Sequence, residues 1–559
     1  CIENTCLHCH GVMGQRQLAI DTQATAKDQC KDIFALAPPH QVPFGKPFAK
    51  SMVSQWQTAP GNNDAKYGAL ARDGISCSVC HHISADALDN ENSYTGNFVT
   101  GAADELYGPY KDDSIIPKPM KHALGIAPKH AKQITDSNIC GSCHNILLPV
   151  FNNDGTSAKI KTPEGQTIAA SYEQSTHLEW LNSDFAKPQS FQSCQDCHMP
   201  THFKVGDTNN PLKDIKIANI ESNEFAPTSH QLPDKDIQLT ARERFARHSL
   251  HGLNVFLNEM FQQFPMVLGI RQMDYMLNSN VQPALITGRD SMLEMAQHET
   301  ADITIADIKP EGEQLQVTVK VINKVGHYLP SGVGFRRVFV ELVVLDKSGH
   351  ALWASGRTND LGVIVKGITE EPLKTEKGGT GASQFQPHYQ TITQEDQVQI
   401  YQELIKDSAD ELTTSFLRRV KTVKDNRLRP KGFDPAVFAD NSSPYIQLLA
   451  ELPGDEKNDP YYTDPKLTGS DSIIYKIPLP KRQLEKAQQV SVRLYNQSIP
   501  PAYLQDRFSD ANQGPRKKEE IQRLYYLTSH LNTQTKSRTI QQWKLEIASA
   551  CQRVDGKSC

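Results

Sequence analysis

Apolar and polar positions change their rhythm along the chain. Leu315, Val317, Val319 and Val321 alternate strictly with Gln316, Thr318 and Lys320, the period-two pattern of a strand with one buried face. Val338 to Leu345 reads as a second strand, closed by the turn-forming Asp346-Lys347-Ser348-Gly349, and Val490 to Tyr495 repeats the alternation. Between about 236 and 300 the spacing is i, i+3, i+4, with Leu253, Phe256, Met260 and Phe264 in step, which predicts a helical connector. Extended back to Thr240, the same helix would place Phe245, His248 and Gly252 on one face. A charged stretch around 517 to 550 predicts a closing helix. Residues 1 to about 215 have neither rhythm, and Pro, Gly, Asn and Asp are scattered through them. The expected organisation is multidomain: a loop-rich, partly α-helical domain over 1–235, a helical connector over 236–300 packing on it, and an antiparallel β-sandwich-like domain with a C-terminal helix over 301–559.

Such a first domain has few periodic apolar segments with which to build a core, and its cysteines suggest what fills it. Of 12 Cys in 559 residues, eight form four Cys-x-x-Cys pairs, each followed at once by His. They are Cys6/Cys9 with His10, Cys77/Cys80 with His81, Cys140/Cys143 with His144, and Cys194/Cys197 with His198. The paired thiols alone fit zinc, a redox disulfide or the vinyl groups of a haem. The histidine decides among them, because a thioether-anchored haem needs a proximal ligand one residue beyond the second thiol, and the other two chemistries do not. Four covalent haem c groups are therefore expected, with the macrocycles themselves forming much of the core.

Each iron has a sixth position. Fourteen of the 19 His lie at or before residue 251, and this crowding favours bis-histidine ligation. His82, directly after a proximal ligand, must point away from that iron and suits a neighbouring haem. His248, with His251 as competitor, His122 and His40 complete the distal candidates, and His130, His177, His202 and His230 stand in reserve. His8 and Met199 are placed poorly for ligation.

The remaining cysteines are Cys1, Cys30, Cys551 and Cys559. Their even number suggests two disulfides, most simply Cys1 with Cys30 and Cys551 with Cys559. Cys1 also admits a second reading, as a lipid-anchored N-terminal cysteine. The net charge of -5 and the lack of a long basic run argue against nucleic acid as partner. No apolar stretch approaches membrane-span length, and no P-loop, dinucleotide fingerprint or nucleophile elbow stands out in the second half.

The chain resembles the multihaem c-type cytochromes of bacterial anaerobic and extracellular respiration over nearly its whole length. Asp73-Gly-Ile-Ser-Cys-Ser-Val-Cys-His, Asn138-Ile-Cys-Gly-Ser-Cys-His, Glu179-Trp-Leu-Asn-Ser and Ser193-Cys-Gln-Asp-Cys-His-Met-Pro are similar to phrases of that family's haem domains. Gly326-His-Tyr-Leu-Pro-Ser-Gly, Val423-Lys-Asp-Asn-Arg-Leu-Arg-Pro-Lys-Gly-Phe and Leu494-Tyr-Asn-Gln-Ser are similar to its associated β-domain. The resemblance implies export to the periplasm or cell surface and electron transfer with redox partner proteins or an extracellular acceptor. Some tetrahaem relatives form filaments, so it also raises a head-to-tail homopolymer, in which a repeating interface need not close. Two alternatives remain. One is a reductase of a nitrogen or sulfur oxyanion, which needs an iron with an open distal site, though all four motifs here end in His. The other is a β-domain that binds a partner, a mineral surface, a glycan or calcium. The run Lys424-Asp-Asn-Arg could hold calcium or form a buried structural network.

Overall fold

The computed structural model describes residues 2–21, 48, 50–53, 64–205, 208–214, 241–242, 244–270, 284–376, 384–510, 518–534, 540–557 and 559. Cys1, Cys30, His40 and His230 lie outside them. The described residues fall into two compact units, one within Cys1–Cys143 and Gln192–Leu250, the other in His144–Phe191 and His251–Cys559. The stretch 144–191, expected with the haem motifs because of its position in the chain, thus groups with the strand-rich half. The buried Glu179 carboxylate shows why: it accepts hydrogen bonds from the Tyr328 amide at 3.0 Å and the Ser331 hydroxyl at 2.7 Å, residues of the expected β-domain.

The motifs lie on short helices: α1 (Ile2–His10), α2 (Cys77–Cys80), α3 (Asn138–His144) and, after the intervening α4 (Thr176–Leu181), α5 (Cys194–His198). In the first unit Val12, Val79, Ile83, Leu88 and Phe98 are buried together, with Met13, Ile139 and Cys143 against them, so residues next to three different motifs share one small core. Strands β1 (Glu105–Gly108) and β2 (Ala127–His130) pair in parallel beside it.

The helix expected through Thr240–Phe256 does not form over its first part. The amides of Phe245, Arg247 and Leu250 donate instead to the carbonyls of Leu212, Pro200 and His198, at 3.0, 3.0 and 2.9 Å. A helix would need those donors internally, and the strand-like path along the fourth motif takes them. Helical structure begins only at Val255, where the Asn254 side chain accepts from the Leu257 amide at 3.2 Å and caps Val255–Gln263. Phe245, His248 and Gly252 therefore share no helical face.

In the second unit β3 (Ile146–Pro149) pairs with β4 (Ala170–Gln174). Then follow β5 (Ala301–Glu311), β6 (Gln314–Asn323), β7 (Arg337–Asp346), β8 (Ala351–Ser355), β9 (Thr391–Ile392), β10 (Ile400–Lys406), β11 (Leu412–Thr413), β12 (Lys421–Asp425), β13 (Ser470–Pro478), β14 (Ala487–Gln497) and β15 (Leu545–Arg553). One sheet has the order β9-β13-β6-β5, the other β11-β10-β7-β14-β15 with β8 on β7 and β12 on β10. Leu315, Val317, Val319 and Val321 are all at 0% exposure and meet Val338, Val340, Val490 and Val492 of the other sheet in one core. Within these two sheets all pairings are antiparallel except the two-residue contact of β9 with β13. The turn after β7 is fixed by Asp346, whose Oδ1 accepts from the Ser348 and His350 amides at 2.8 and 2.9 Å, while Gly349 takes the left-handed φ of 81°.

The closing segment differs from expectation. A helix spans Lys518–His530, but residues 545–553 form β15, paired with β14 from Leu545↔Asn496 to Arg553↔Gln489. Ala and Glu in Leu545-Glu-Ile-Ala-Ser-Ala favour helix locally, and pairing with the edge of β14 outweighs that preference. The Cys551–Cys559 disulfide is formed across this end of the chain.

Candidate functional site

Side chains at i, i+3 and i+4 of a helix share a face, so Cys-x-x-Cys-His on a helical turn sends two thiols and an imidazole to the same side. All four motifs adopt this placement, with His81 as the C-cap of α2 and the others within α1, α3 and α5. The fourth motif is held by a capping box, in which Ser193 Oγ accepts the Asp196 amide at 3.1 Å and Asp196 Oδ2 accepts the Ser193 amide at 2.9 Å. None of the eight motif thiols is taken up in a disulfide. Cys9 hydrogen-bonds with Cys143 and Cys140 with Cys194, contacts that push Cys9 and Cys140 well above the ordinary thiol range, with burial adding to the effect. The third motif thus stands next to both the first and the fourth.

The eight thiols are not equally sheltered. Cys9 is buried, whereas Cys6, Cys77 and Cys197 are exposed and the other four are half-buried. The Cys194 amide donates to Ser137 Oγ at 3.0 Å and so fixes the start of α5 against the third motif. Cys197 comes one turn later on that five-residue helix, its Sγ 3.9 Å from Gln192 Oε1.

His81 is the best-defined candidate ligand. Its Nδ1 is 2.5 Å from the Tyr107 carbonyl on β1, so Nδ1–H donates there and Nε2 is the nitrogen left to ligate. Facing it is His248, with ring centroids 6.2 Å apart and an interplanar angle of 37°. Two metal–nitrogen bonds of about 2 Å each plus two half-rings amount to about 6 Å, so an iron fits between them. Burial, and then the nearby His81, depress the His248 pKa, which favours the neutral imidazole that ligation requires. His82 points elsewhere: its Nδ1 lies 2.9 Å from the Ser78 carbonyl of its own helix, again leaving Nε2.

His144 Nδ1 is 3.2 Å from Gln174 Nε2 of β4. His177, on α4, is buried, bonded through Nδ1 to Asn145 at 3.1 Å and stacked on Trp180 at 5.8 Å. Burial first, and His144 second, push its pKa down to about 4. This reserve residue therefore stands near a proximal one. His130, on β2, has a buried Nδ1 with no hydrogen-bond partner among the described residues. His122 is exposed on the helix Lys118–Leu124, and His202 begins the strand His202–Val205. A side chain on Gly288 would lie 3.2 Å from His251 Nε2, so that glycine makes room for the ring.

Two contributors escaped the sequence reading. The Tyr107 carbonyl is backbone and leaves no trace in residue identity. Gln174 lies thirty residues from the histidine it meets; only its nearness to the Glu179-Trp phrase marks the region.

The Lys424 run forms a buried network. Lys424 Nζ donates to the Gln386 and Ile400 carbonyls at 2.9 and 2.8 Å, and Asp425 is engaged on both oxygens by Arg427 at 2.8 and 2.7 Å. With two cationic side chains in the run and its carboxylate occupied, a calcium ion has no place there. Among the described residues one cluster, His388, Asp459 and Asp471, has the dimensions of a metal site. Its hydrogen bonds argue otherwise. Gln399 Oε1 accepts from the Tyr389 amide and Asn426 Oδ1 from the Gln402 amide, which turns both NH2 groups toward His388 Nδ1 at 3.1 and 3.2 Å. The imidazole proton is thereby placed on Nε2, where it donates to Asp459 Oδ2 at 2.9 Å. A metal there would have to displace that proton, and the second shell favours the wrong tautomer.

No helix among the described residues is long and apolar enough to cross a membrane. No family model and no curated protein matches the chain. A solved structure, a penta-heme cytochrome c552 from Thermochromatium tepidum, is similar over 98% of this chain and 97% of its own, at 14% identity and a TM-score of 0.42.

Proposed function

We propose that this chain is an electron-transfer protein carrying four haem c groups, not an enzyme. The observation that carries the reading is the opposed pair His81 and His248, separated by the space of one six-coordinate iron, beside a Cys-x-x-Cys turn that recurs at three other places. Cys6/Cys9, Cys77/Cys80, Cys140/Cys143 and Cys194/Cys197 tether the groups, and His10, His81, His144 and His198 are the proximal ligands. His248 is the distal ligand opposite His81, and His82 serves another iron. When bound, haem c supplies one-electron iron(III)/iron(II) chemistry. The protein holds the thioether edges, fixes the imidazoles through Tyr107 and Gln174, and sets His248 opposite His81. Proximity of the third motif to the first and fourth supports transfer along a connected chain.

The same reading places the protein in the periplasm or at the cell surface, with one-electron partner proteins or an extracellular acceptor. The strand-rich half is a sandwich-like scaffold, and exposed His122 is the kind of residue a head-to-tail homopolymer would use. Intact mass of the exported protein under denaturing conditions tests the reading. The expected result is four haems per chain retained covalently; fewer, or haem lost on denaturation, would overturn it.

A further inference from the structure

The helix Val12–Asp21 begins just after the first motif, and its Arg16 reaches a loop that lies against the first and third motifs at once. Nη2 of Arg16 donates to the carbonyls of Gly96 and Phe98 at 3.2 and 2.7 Å, and the guanidinium stands 3.9 Å over the centre of the Phe98 ring. Both ends of that loop touch haem anchors. Gly96 has the left-handed φ of 74°, and a side chain on it would lie 3.0 Å from Cys9 Sγ and 2.9 Å from the His8 carbonyl oxygen. Its amide donates to the Ser142 carbonyl at 2.7 Å, and Ser142 Oγ lies 3.8 Å from Cys143 Sγ. Phe98 is buried with Val12 and Val79, and Cys143 packs against that cluster. One side chain thus ties down the segment that touches both Cys9 and Cys143.

Arg16 brings a charge as well as hydrogen bonds. The buried arginines of the second unit are paired, Arg337 with Glu376 and Arg427 with Asp425. Half-buried Arg16 has no carboxylate partner among the described residues, and the ionisable groups that face it are the thiols of Cys143 and Cys9. Carbonyls occupy its N–H groups without cancelling its charge. Burial lowers its pKa to about 10, so it stays a cation throughout the neutral range. Away from bulk water such a charge is poorly screened.

We propose that Arg16 is a positioning residue of the electron path: its charge raises the reduction potential of the haems tethered at Cys9 and Cys143, and its hydrogen bonds hold the loop that touches both anchors. The inference rests on the electron-transfer reading above. One electron, delivered by a one-electron partner, reduces iron(III) to iron(II), and no proton moves and no bond changes. The step lowers the positive charge at the site by one, so a fixed cation nearby favours the reduced state.

Potentiometric titration of the haem-loaded full chain at pH 7 tests this. R16Q and R16M remove the charge and should lower one or two of the four midpoints, on the order of tenfold in the reduction equilibrium, which is about 59 mV for a one-electron couple. R16K keeps the charge and should hold those midpoints near wild type. Lys66, exposed and ion-paired with Asp21, is the control, and K66Q should leave all four in place. In a His248→Met background, which marks the iron at His81, the fall should appear in midpoints other than the marked one. Unchanged midpoints in both neutral variants, an equal fall in R16K, or a fall confined to the marked midpoint would overturn the proposal. Loss of haem from both neutral variants would do the same, by making Arg16 a structural residue alone. Failure of the underlying reading shows separately, as a wild-type haem count below four by mass.

Discussion

The imidazoles of His81 and His248 face each other 6.2 Å apart, although 167 positions separate them in the chain. The first is placed by a helix turn and a carbonyl, the second by backbone bonds to the segment after the fourth motif. If an iron sits between them, His248→Ala should convert one haem of four to high spin and leave three low spin, as read by electron paramagnetic resonance. His248→Met should instead keep it low spin and raise its potential. An unchanged spectrum in both variants would remove His248 from the ligand set.

His82 should serve a different iron, since its Nδ1 is tied to Ser78 and its ring leaves α2 separately from that of His81. His82→Ala is expected to produce one high-spin haem, and the double variant with His248→Ala two. One high-spin haem in the double variant would mean that the two histidines share a site.

Stability of the second unit depends on buried charge pairs. Arg337 donates to both oxygens of Glu376 at 2.7 and 2.8 Å, and both side chains are almost fully buried. Glu376→Ala leaves the guanidinium without its counter-charge and should cost about 3 to 5 kcal/mol. Denaturant unfolding followed by the fluorescence of Trp353 and Trp543 would measure it; a loss below about 1 kcal/mol would show that water replaces the carboxylate.

Acid should loosen the same unit through Asp425. Burial raises its pKa, but Arg427 and Arg429 overcome this and hold it at about 2. Its folded pKa lies below the unfolded value, so its contribution is present above about pH 4 and is lost as pH falls toward 2, to the extent of about 2 kcal/mol. Unfolding free energies between pH 2 and 5 should slope upward in wild type and less so in Asp425→Asn. Parallel slopes would assign the acid sensitivity to other carboxylates.

Much of this was legible before any coordinates. The four motifs are short, local and chemically specific, and β6 carries period-two burial along its whole length, as does Val490–Leu494 of β14. What was not legible depends on distant parts of the chain. His248 was chosen for a helical face that does not exist, because amides of 245–250 bond to residues 198–212. Strand β15 was hidden by a helix-favouring composition that only the edge of β14 overrides. His177 remained a reserve because its nearness to His144 comes from the anchoring of α4 by Glu179 to Tyr328 and Ser331, a contact across 149 positions that no local pattern announces.

The central claim is that every iron has a ligand on both faces. The electron paramagnetic resonance spectrum of the oxidised, haem-loaded protein, recorded over a range of concentrations, tests it most directly. Low-spin signals alone, integrating to four irons per chain, are expected. A high-spin iron that persists at every concentration would contradict the account and point to an open catalytic position.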